Sequence, residues 1–315
     1  MESFEIGVIL PGIAVQHRDG LTLAEAARHA ERAGLDGVWH GDHLAVGGPV
    51  LDAPIALATA AAATTRVRIG TSVFIPAIRP LAWAAKQVAT LRYVSGERLV
   101  LGVGSGGGPA QWAAAGVPYG ERGRRTDIAL ELLPRLLAGE PVILPEAVDP
   151  DARQPVRLAP AVEMPPVWVG NASDAAIRRA ARLGDGWFPS LIPPQEVARG
   201  RVRLAELAAG HGRPAPVIAV GGAAHVGGGP AAQAEIAAGI SGGYGRPLEE
   251  VAGIPLTGEP KQVAERLAEY RAAGAGHAVI GVSGVTGGPR WTCWPRSETS
   301  CGAEPRLTAR PPALR

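Results

Sequence analysis

The stretch VWHGDHL, residues 38–44, carries three titratable side chains within four positions: His40, Asp42 and His43. It begins with apolar residues typical of a buried strand. The chain has only 7 histidines. Two imidazoles and a carboxylate at one strand end are the residue types of a metal site or of an acid/base centre.

The metal interpretation depends on the direction of each side chain. Residues two apart on a strand share a face, so His40 and Asp42 point together, and His43 joins them only if the chain turns. His225 and His277 stand alone in the sequence and complete no ligand shell. A metal-dependent hydrolase that uses His40, Asp42 and His43 remains an alternative, which metal analysis of the purified protein would test.

Small and hydroxyl residues follow two other apolar runs. Thr71 and Ser72 lie within RIGTSVFIP, at the end of the third predicted strand, beside backbone that a flat ring could approach. LGVGSGGGP contains G-x-G-x-x-G, but it follows the fourth predicted strand, and Pro109 interrupts the helix start, which argues against a Rossmann dinucleotide site. We expect these glycines to admit a flat ligand, with Ser105 as a hydrogen-bond donor; a flexible loop is the alternative.

The segment GNASDAAIRRA, residues 170–180, places a small-residue turn at the start of a helix. Unpaired backbone N–H groups and the positive end of the helix dipole make such a turn a phosphate site, supported here by Asn171 and Ser173. Ordinary capping of the helix by Ser173 is the alternative. We favour phosphate because the turn also follows a strand.

The elements that position these residues alternate regularly. Short apolar runs alternate with amphipathic stretches from the first residues to about Ser283, the pattern of a parallel sheet. The predicted strands are FEIGVIL, DGVWH, RVRIGTSVFI, RLVLGVG, PVWVG, DGWFP, PVIAVGG and HAVIG. Eight such units predict a (β/α)8 TIM barrel, which carries functional groups at the carboxyl ends of its strands. Predicted helices are 21–33, 51–63, 80–93, 122–137, 173–183, 195–209 and one that begins at Pro260.

Two connections and the tail depart from a minimal barrel. Gly139–Pro165, after the helix that follows the fourth strand, and Gly222–Gly258, after the seventh strand, are predicted as long insertions, either binding loops or surface loops. Residues 1–287 are expected to form the barrel. Residues 288–315 are rich in proline, show no helical stripe, and are predicted to be irregular, so that the eighth helix is lost or altered.

Composition limits the classes of function. The 31 Lys and Arg against 29 Asp and Glu give a net charge of +2 without a basic stripe, so we expect a small-molecule substrate and no nucleic acid. The acidic start MESFE and the lack of a long apolar segment predict a cytoplasmic protein with no membrane contact. Both cysteines, Cys293 and Cys301, lie in the tail, which argues against a disulfide framework. A homodimer is left open.

Five phrases together resemble one family. In order and spacing, GLDGVWHGDHL, RIGTSVFIPAIRPLAWAAKQVATL, VSGERLVLGVGSG, PPVWVGNASDAAIRRAARLGDGWFP and TGEPKQVAERLAEYRAAGAGHAVI are similar to the bacterial-luciferase-like oxidoreductases over about residues 4–283. That resemblance implies a TIM-barrel oxidoreductase or monooxygenase that transfers hydride or oxygen through FMN or the deazaflavin coenzyme bound at the barrel mouth. Deazaflavin is slightly favoured by GTSV with DH. A non-catalytic accessory barrel is the further alternative.

The resemblance also assigns roles to residues. It implies a non-proline cis peptide between Ser72 and Val73 against the ring and gives His43 the role of acid/base. It implies cofactor contacts from Asp42, Thr71, Ser72, Val73, Gly104, Ser105, Gly106, Val169, Gly170, Asn171, Ala172 and Ser173. Sugar-phosphate dehydrogenases of the deazaflavin branch carry an acid just after the fourth-strand glycines, and GSGGGPAQW lacks one. Gln111 and Trp112 are instead predicted as walls of an apolar substrate pocket.

Overall fold

The chain folds into a closed barrel of parallel strands. A computed structural model describes residues 4–45, 48–145 and 154–282. The ring runs through β1 to β7 in order and closes through β9, which pairs with both β7 and β1. The (β/α)8 prediction and its eight strands are confirmed. The strands are β1 Glu5–Ile9, β2 Gly37–His40, β3 Arg68–Thr71, β4 Leu99–Val103, β5 Val167–Gly170, β6 Gly186–Phe188, β7 Val217–Val226, β8 Leu256–Gly258 and β9 His277–Val282.

Helices surround the barrel, and their starts follow local capping chemistry. Thr22 and Glu25 form a capping box at α2, and Asp52 and Ser173 accept hydrogen bonds from the first turns of α3 and α7. The helices are α1 Ile13–Asp19, α2 Leu23–Arg32, α3 Ala53–Ala63, α4 Leu81–Ser95, α5 Pro109–Ala114, α6 Arg122–Leu137, α7 Asp174–Leu183, α8 Pro194–Gly210, α9 Pro230–Tyr244, α10 Leu248–Val251 and α11 Pro260–Ala272. All seven predicted helices are present, within a few residues at each end.

The segment Gly222–Gly258 corrects the prediction of a long loop. β7 continues to Val226, α9 and α10 follow, and β8 pairs with the last residues of β7 outside the ring. Ala237, Ile240, Val251 and Ile254 form a small apolar cluster that joins the two helices. The many glycines, which disfavour helix, and the weak apolar periodicity concealed α9 in the sequence.

The other predicted departures are described only in part. In Gly139–Pro165, Val142 and Val156 form an isolated antiparallel bridge, and residues 146–153 lie outside the described part of the chain. The predicted irregular tail 288–315, with the lost eighth helix, also lies outside the described residues. Among those that are described, no helix is long and apolar enough to cross a membrane.

Two indoles fill the barrel interior. The rings of Trp39 and Trp168 stack with centroids 5.1 Å apart, and Phe188 packs against both. The space for them comes from glycines on neighbouring strands. A Cβ at Gly70 would lie 2.1 Å from the Trp39 ring, and one at Gly186 would lie 2.4 Å from the Trp168 ring. Ring size therefore dictates glycine at these strand positions.

Gly70→Ala should destabilise the protein because its new methyl group overlaps the Trp39 ring, which is enclosed on all sides. Overpacking of this kind costs about 1–3 kcal/mol or more, measured as the free energy of unfolding in urea. Gly210→Ala is the control, since no atom lies within 4 Å of the added methyl group and alanine favours helix. Equal stabilities of the two variants would contradict this account of the interior.

Candidate active site

The barrel mouth opens into a cleft of about 560 Å³, within the range of small-molecule sites. Its floor is formed by Ile9, Phe188 and Val279, which cover the indole pair. Ser72 at the end of β3 lies on one side, and α9 forms the opposite wall. The cleft is therefore located where a TIM barrel carries its active site.

Asp42 anchors the chain that follows β3. Its carboxylate accepts hydrogen bonds from both terminal nitrogens of Arg79, at 2.8 and 2.9 Å, and from the backbone N–H of Ile75 at 2.9 Å. The side chain is only 4% exposed. The Arg79 guanidinium also lies over the Phe74 ring, 4.5 Å from its centroid. The predicted cofactor residue Asp42 thus holds the segment from Phe74 to Arg79 in place.

The peptide between Ser72 and Val73 is cis, as the resemblance implied. The Ser72 N–H donates to the His40 carbonyl, and the Thr71 hydroxyl donates to the Gly102 carbonyl at 2.7 Å. The Val73 side chain lies against the ends of β4 and β5. A Cβ at Gly104 would lie 2.4 Å from a Val73 methyl group, and one at Gly170 would lie 2.7 Å from another.

This contact changes the interpretation of Gly104. The sequence predicts that its missing side chain admits a flat ligand, but the space is filled by Val73. Gly106 takes a positive φ of 63°, and a Cβ there would lie 3.0 Å from Ile75. Ser105, between them, is half-buried. These glycines leave room for the segment between β3 and α4 to pack against the barrel mouth. The Val73 side chain, which lies against them, forms the surface there.

His43 lies at the rim of this surface. The His43 side chain is exposed. A Cβ atom added to Gly41 would lie 3.3 Å from the His43 Nε2 and 3.5 Å from the Ser72 carbonyl oxygen. The imidazole is therefore close to the Ser72–Val73 peptide. His40, in contrast, is buried at the end of β2, where its Nδ1 is 2.8 Å from the Gly41 carbonyl oxygen. Burial lowers the pKa of His40 below the ordinary value, which keeps it neutral.

The metal interpretation finds no support among the described residues, where no group of three or more His, Cys, Asp and Glu side chains could hold an ion. The Asp42 oxygens are used by Arg79 and Ile75. His277 lies at the start of β9, the end of the barrel away from the mouth, where its Nδ1 is 3.2 Å from Glu5. Burial lowers the pKa of His277 as well.

In the predicted phosphate turn the structure shows the helix capping, and phosphate binding stays a prediction. Ser173 caps α7, its Oγ accepting from the Ala176 N–H at 3.4 Å. Asn171 has a φ of 87°, and its side-chain oxygen accepts from the Ser173 N–H at 2.8 Å. The Asn171 carbonyl accepts from the Trp187 indole at 2.9 Å, which fixes the turn to β6. Ala172 is half-buried, while Val169 and Gly170 are buried in β5.

Two predicted pocket residues lie elsewhere. Trp112 is fully buried in a cluster with Ile75, Ala77 and Ile78, and Gln111 is 3% exposed beneath the loop from Leu44. Neither lines the cleft. Trp112 supports the segment after β3 from behind, while Gln111 accepts a hydrogen bond from the Leu44 N–H after β2. Arg79 and the α9 residue Glu235 were not predicted as residues of the mouth. The only sequence signal for Arg79 was its place just before Pro80, and Glu235 was missed because α9 was not predicted as a helix.

The mouth has unused hydrogen-bonding capacity of the kind a cofactor ring requires. Ser72 lines the cleft, and its buried Oγ makes no hydrogen bond to any described residue. A buried polar atom without a partner is rare and points to a ligand or to water. Ser72, Val73 and the turn after β5 therefore fit a planar cofactor with a phosphate.

A sequence profile of luciferase-like monooxygenases matches residues 15–245. The chain belongs to this family. Its curated relatives include 4-hydroxyprotoasukamycin monooxygenase of Streptomyces nodosus subsp. asukaensis, 30% identical over 68% of this chain and 61% of that protein. F420-dependent glucose-6-phosphate dehydrogenase of Beutenbergia cavernae is 36% identical over 50% of this chain and 49% of that protein. The chain thus spans about half to three fifths of the length of the curated relatives it matches.

Solved structures of the luciferase-like family share the fold. An F420-dependent secondary alcohol dehydrogenase in complex with an F420–acetone adduct superposes with a TM-score of 0.72 at 17% identity, over 89% of this chain and 93% of that one. The monooxygenase RslO1 from Streptomyces bottropensis superposes with a TM-score of 0.68 at 22% identity, over 90% of this chain and 92% of that one. Luciferase-like relatives therefore include both F420-dependent enzymes and monooxygenases, which confirms the resemblance.

Arg79→Met should destabilise this family member by about 3–5 kcal/mol, because it leaves the buried Asp42 carboxylate without a cation. Urea unfolding measures the change. Adding Asp42→Asn should recover part of the loss, since the double variant buries no unpaired charge. Arg203→Met, which breaks only an exposed pair with Glu206, should cost less than about 1 kcal/mol. A comparable loss in both single variants would contradict the anchoring role of Asp42.

Proposed function

We propose that the chain is an oxidoreductase that binds F420, the deazaflavin coenzyme, or FMN at the barrel mouth and acts on a small organic substrate in the cleft. The observation that carries this proposal is the arrangement at the end of β3. There, the unpartnered Ser72 hydroxyl lines the apolar cleft, and the Val73 surface and the His43 imidazole lie beside Ser72. Membership of the luciferase-like family supports the same activity.

Each group at the mouth has a separate task. Val73, supported by Gly104 and Gly170, presents an apolar surface to the face of the ring, and Ser72 offers a hydroxyl to its polar edge. The α7 N-terminus, with Asn171 and Ser173, binds phosphate through backbone N–H groups and the helix dipole. When bound, a flavin or deazaflavin supplies a ring that accepts or donates hydride. Asp42 and Arg79 position the segment after β3 for this ring.

His43 is the acid/base in this proposal. Its Nε2 takes up a proton from the substrate or returns one, which balances the movement of hydride. An imidazole suits the task because it can both accept and donate a proton. The apolar floor of Ile9, Phe188 and Val279 excludes water from the reacting groups.

Of the two cofactors, we slightly favour F420. Curated F420-dependent glucose-6-phosphate dehydrogenases match at 34–36% identity, while the longer match is to a monooxygenase. The missing acid after the fourth-strand glycines argues against a sugar-phosphate substrate. Fluorescence titration of the purified chain with F420 and, separately, with FMN tests the proposal, and failure to bind either would contradict it.

Ser173→Asp should weaken binding of the preferred cofactor by at least about tenfold, because it places a carboxylate against the phosphate. The fold should be unchanged, since Asp caps a helix as well as Ser does. Ser173→Asn is the matched control; it is a neutral cap of nearly the same shape and should retain affinity. Equal dissociation constants for the Asp and Asn variants would show that phosphate binds elsewhere.

His43→Asn should lower turnover about 10²–10⁴-fold without changing the affinity for cofactor or the stability, because His43 is exposed and supports no packing. Two assays cover the two alternative cofactors: reduction of F420 by a panel of alcohols, and oxygen consumption with reduced FMN. His17→Asn, on exposed α1, is the control. A variant as active as the wild type would remove His43 from the mechanism.

A further inference from the structure

The wall of the cleft formed by α9 carries a single charged group. Glu235, Ile236, Gly239 and Ile240 all line the cleft, and their spacing places them on one face of the helix. The remaining lining residues in the described part of the chain are apolar, glycine or serine, with no Lys, Arg or His among them. The cleft thus combines a large apolar surface with one carboxylate at its exposed edge.

The position of Glu235 is fixed by the packing of α9. Ile240 and Ala237 are buried against Val251 and Ile254 of the α10 segment. Gln233 donates to the Ala252 carbonyl at 2.9 Å, and Ser241 donates to the Arg246 carbonyl at 2.7 Å. The helix is held at both ends, so its face toward the cleft is preformed.

Glu235 itself has no ion-pair partner within the described part of the chain, unlike the nearby Glu250, which pairs with Arg246. An unpaired carboxylate beside an apolar surface attracts a cation and repels an anion, and the low polarity of the walls strengthens both effects. A substrate with a carboxylate or phosphate at this end would meet repulsion, and none of the described lining residues is a basic group that would compensate for it.

We propose that the cleft selects apolar substrates that carry a protonated amine, and that Glu235 is the residue that determines this specificity. The apolar body packs on Phe188, Val279 and Ile240, and the ammonium group lies at the rim against the Glu235 carboxylate. This inference rests on the proposed function for the identity of the cleft as a substrate site. It extends that function by naming the charge and polarity of the substrate.

Three probes of equal chain length test the inference: octylammonium, octanol and octanoate. Calorimetric titration is made on the chain loaded with whichever cofactor it binds, and in parallel without cofactor. We expect octylammonium to bind about fivefold more tightly than octanol, and octanoate more weakly than octanol. The preference for the cation should decrease with added salt, because the rim is exposed.

Variants distinguish Glu235 from the general charge of the protein. Glu235→Gln should remove the preference for octylammonium, and Glu235→Lys should reverse it in favour of octanoate. Glu249→Gln, an exposed acid of α10 that does not line the cleft, should retain the wild-type order. Loss of preference in both Gln variants, survival of the preference in Glu235→Gln, or no binding of any probe would overturn the inference.

The same experiment separates this inference from the proposed function. Cofactor binding without any charge preference among the probes would remove the role of Glu235 and leave the oxidoreductase proposal intact. A charge preference dependent on Glu235, in a chain that binds neither F420 nor FMN, would support the ligand class and contradict the redox activity.

Discussion

The structure depends on how the barrel interior is filled. Trp39 and Trp168 stack across the axis, and their rings occupy positions that would otherwise hold the Cβ atoms of Gly70 and Gly186. Close packing of this kind leaves no room for adjustment. The indoles fill the middle of the barrel, and buried residues above them form the floor of the cleft. Phe188 and Val279 belong both to the interior cluster and to the lining of the cleft.

A second constraint connects this floor to the chemistry. The segment after β3 crosses the mouth, and it is held from two sides: Asp42 binds Ile75 and Arg79, and the glycines at 104 and 170 accept the Val73 side chain. A buried ion pair with good bidentate geometry fixes position more than it adds stability. Its effect here is to present Ser72 and Val73 at a defined height above the indoles, beside His43.

Sequence patterns predicted the barrel because the hydrophobic periodicity and the order of strands and helices can be recognised without any knowledge of packing. Each strand is a short apolar run, and α6 was bounded correctly at both ends by its amphipathic pattern. The pattern failed for α9, where glycines and alanines make up much of the helix and tertiary contacts with α10, β7 and β8 stabilise it. It also misplaced Trp112, since an indole after a glycine-rich loop suits a pocket wall and a buried support equally well.

The role of single residues was the hardest part to predict because it depends on distances across the sequence. Asp42 stays a predicted cofactor residue, but the structure shows that Arg79, 37 positions later, binds both of its oxygens. Gly104 suggested an open surface until Val73 filled it. In both cases the sequence placed the residue at the mouth, and its structural role depends on the side chain that contacts it there. Among the described residues at the mouth, the Ser72 hydroxyl on the barrel side and the Glu235 carboxylate on α9 are left without such a partner, and together with His43 they are the groups that the proposed chemistry uses.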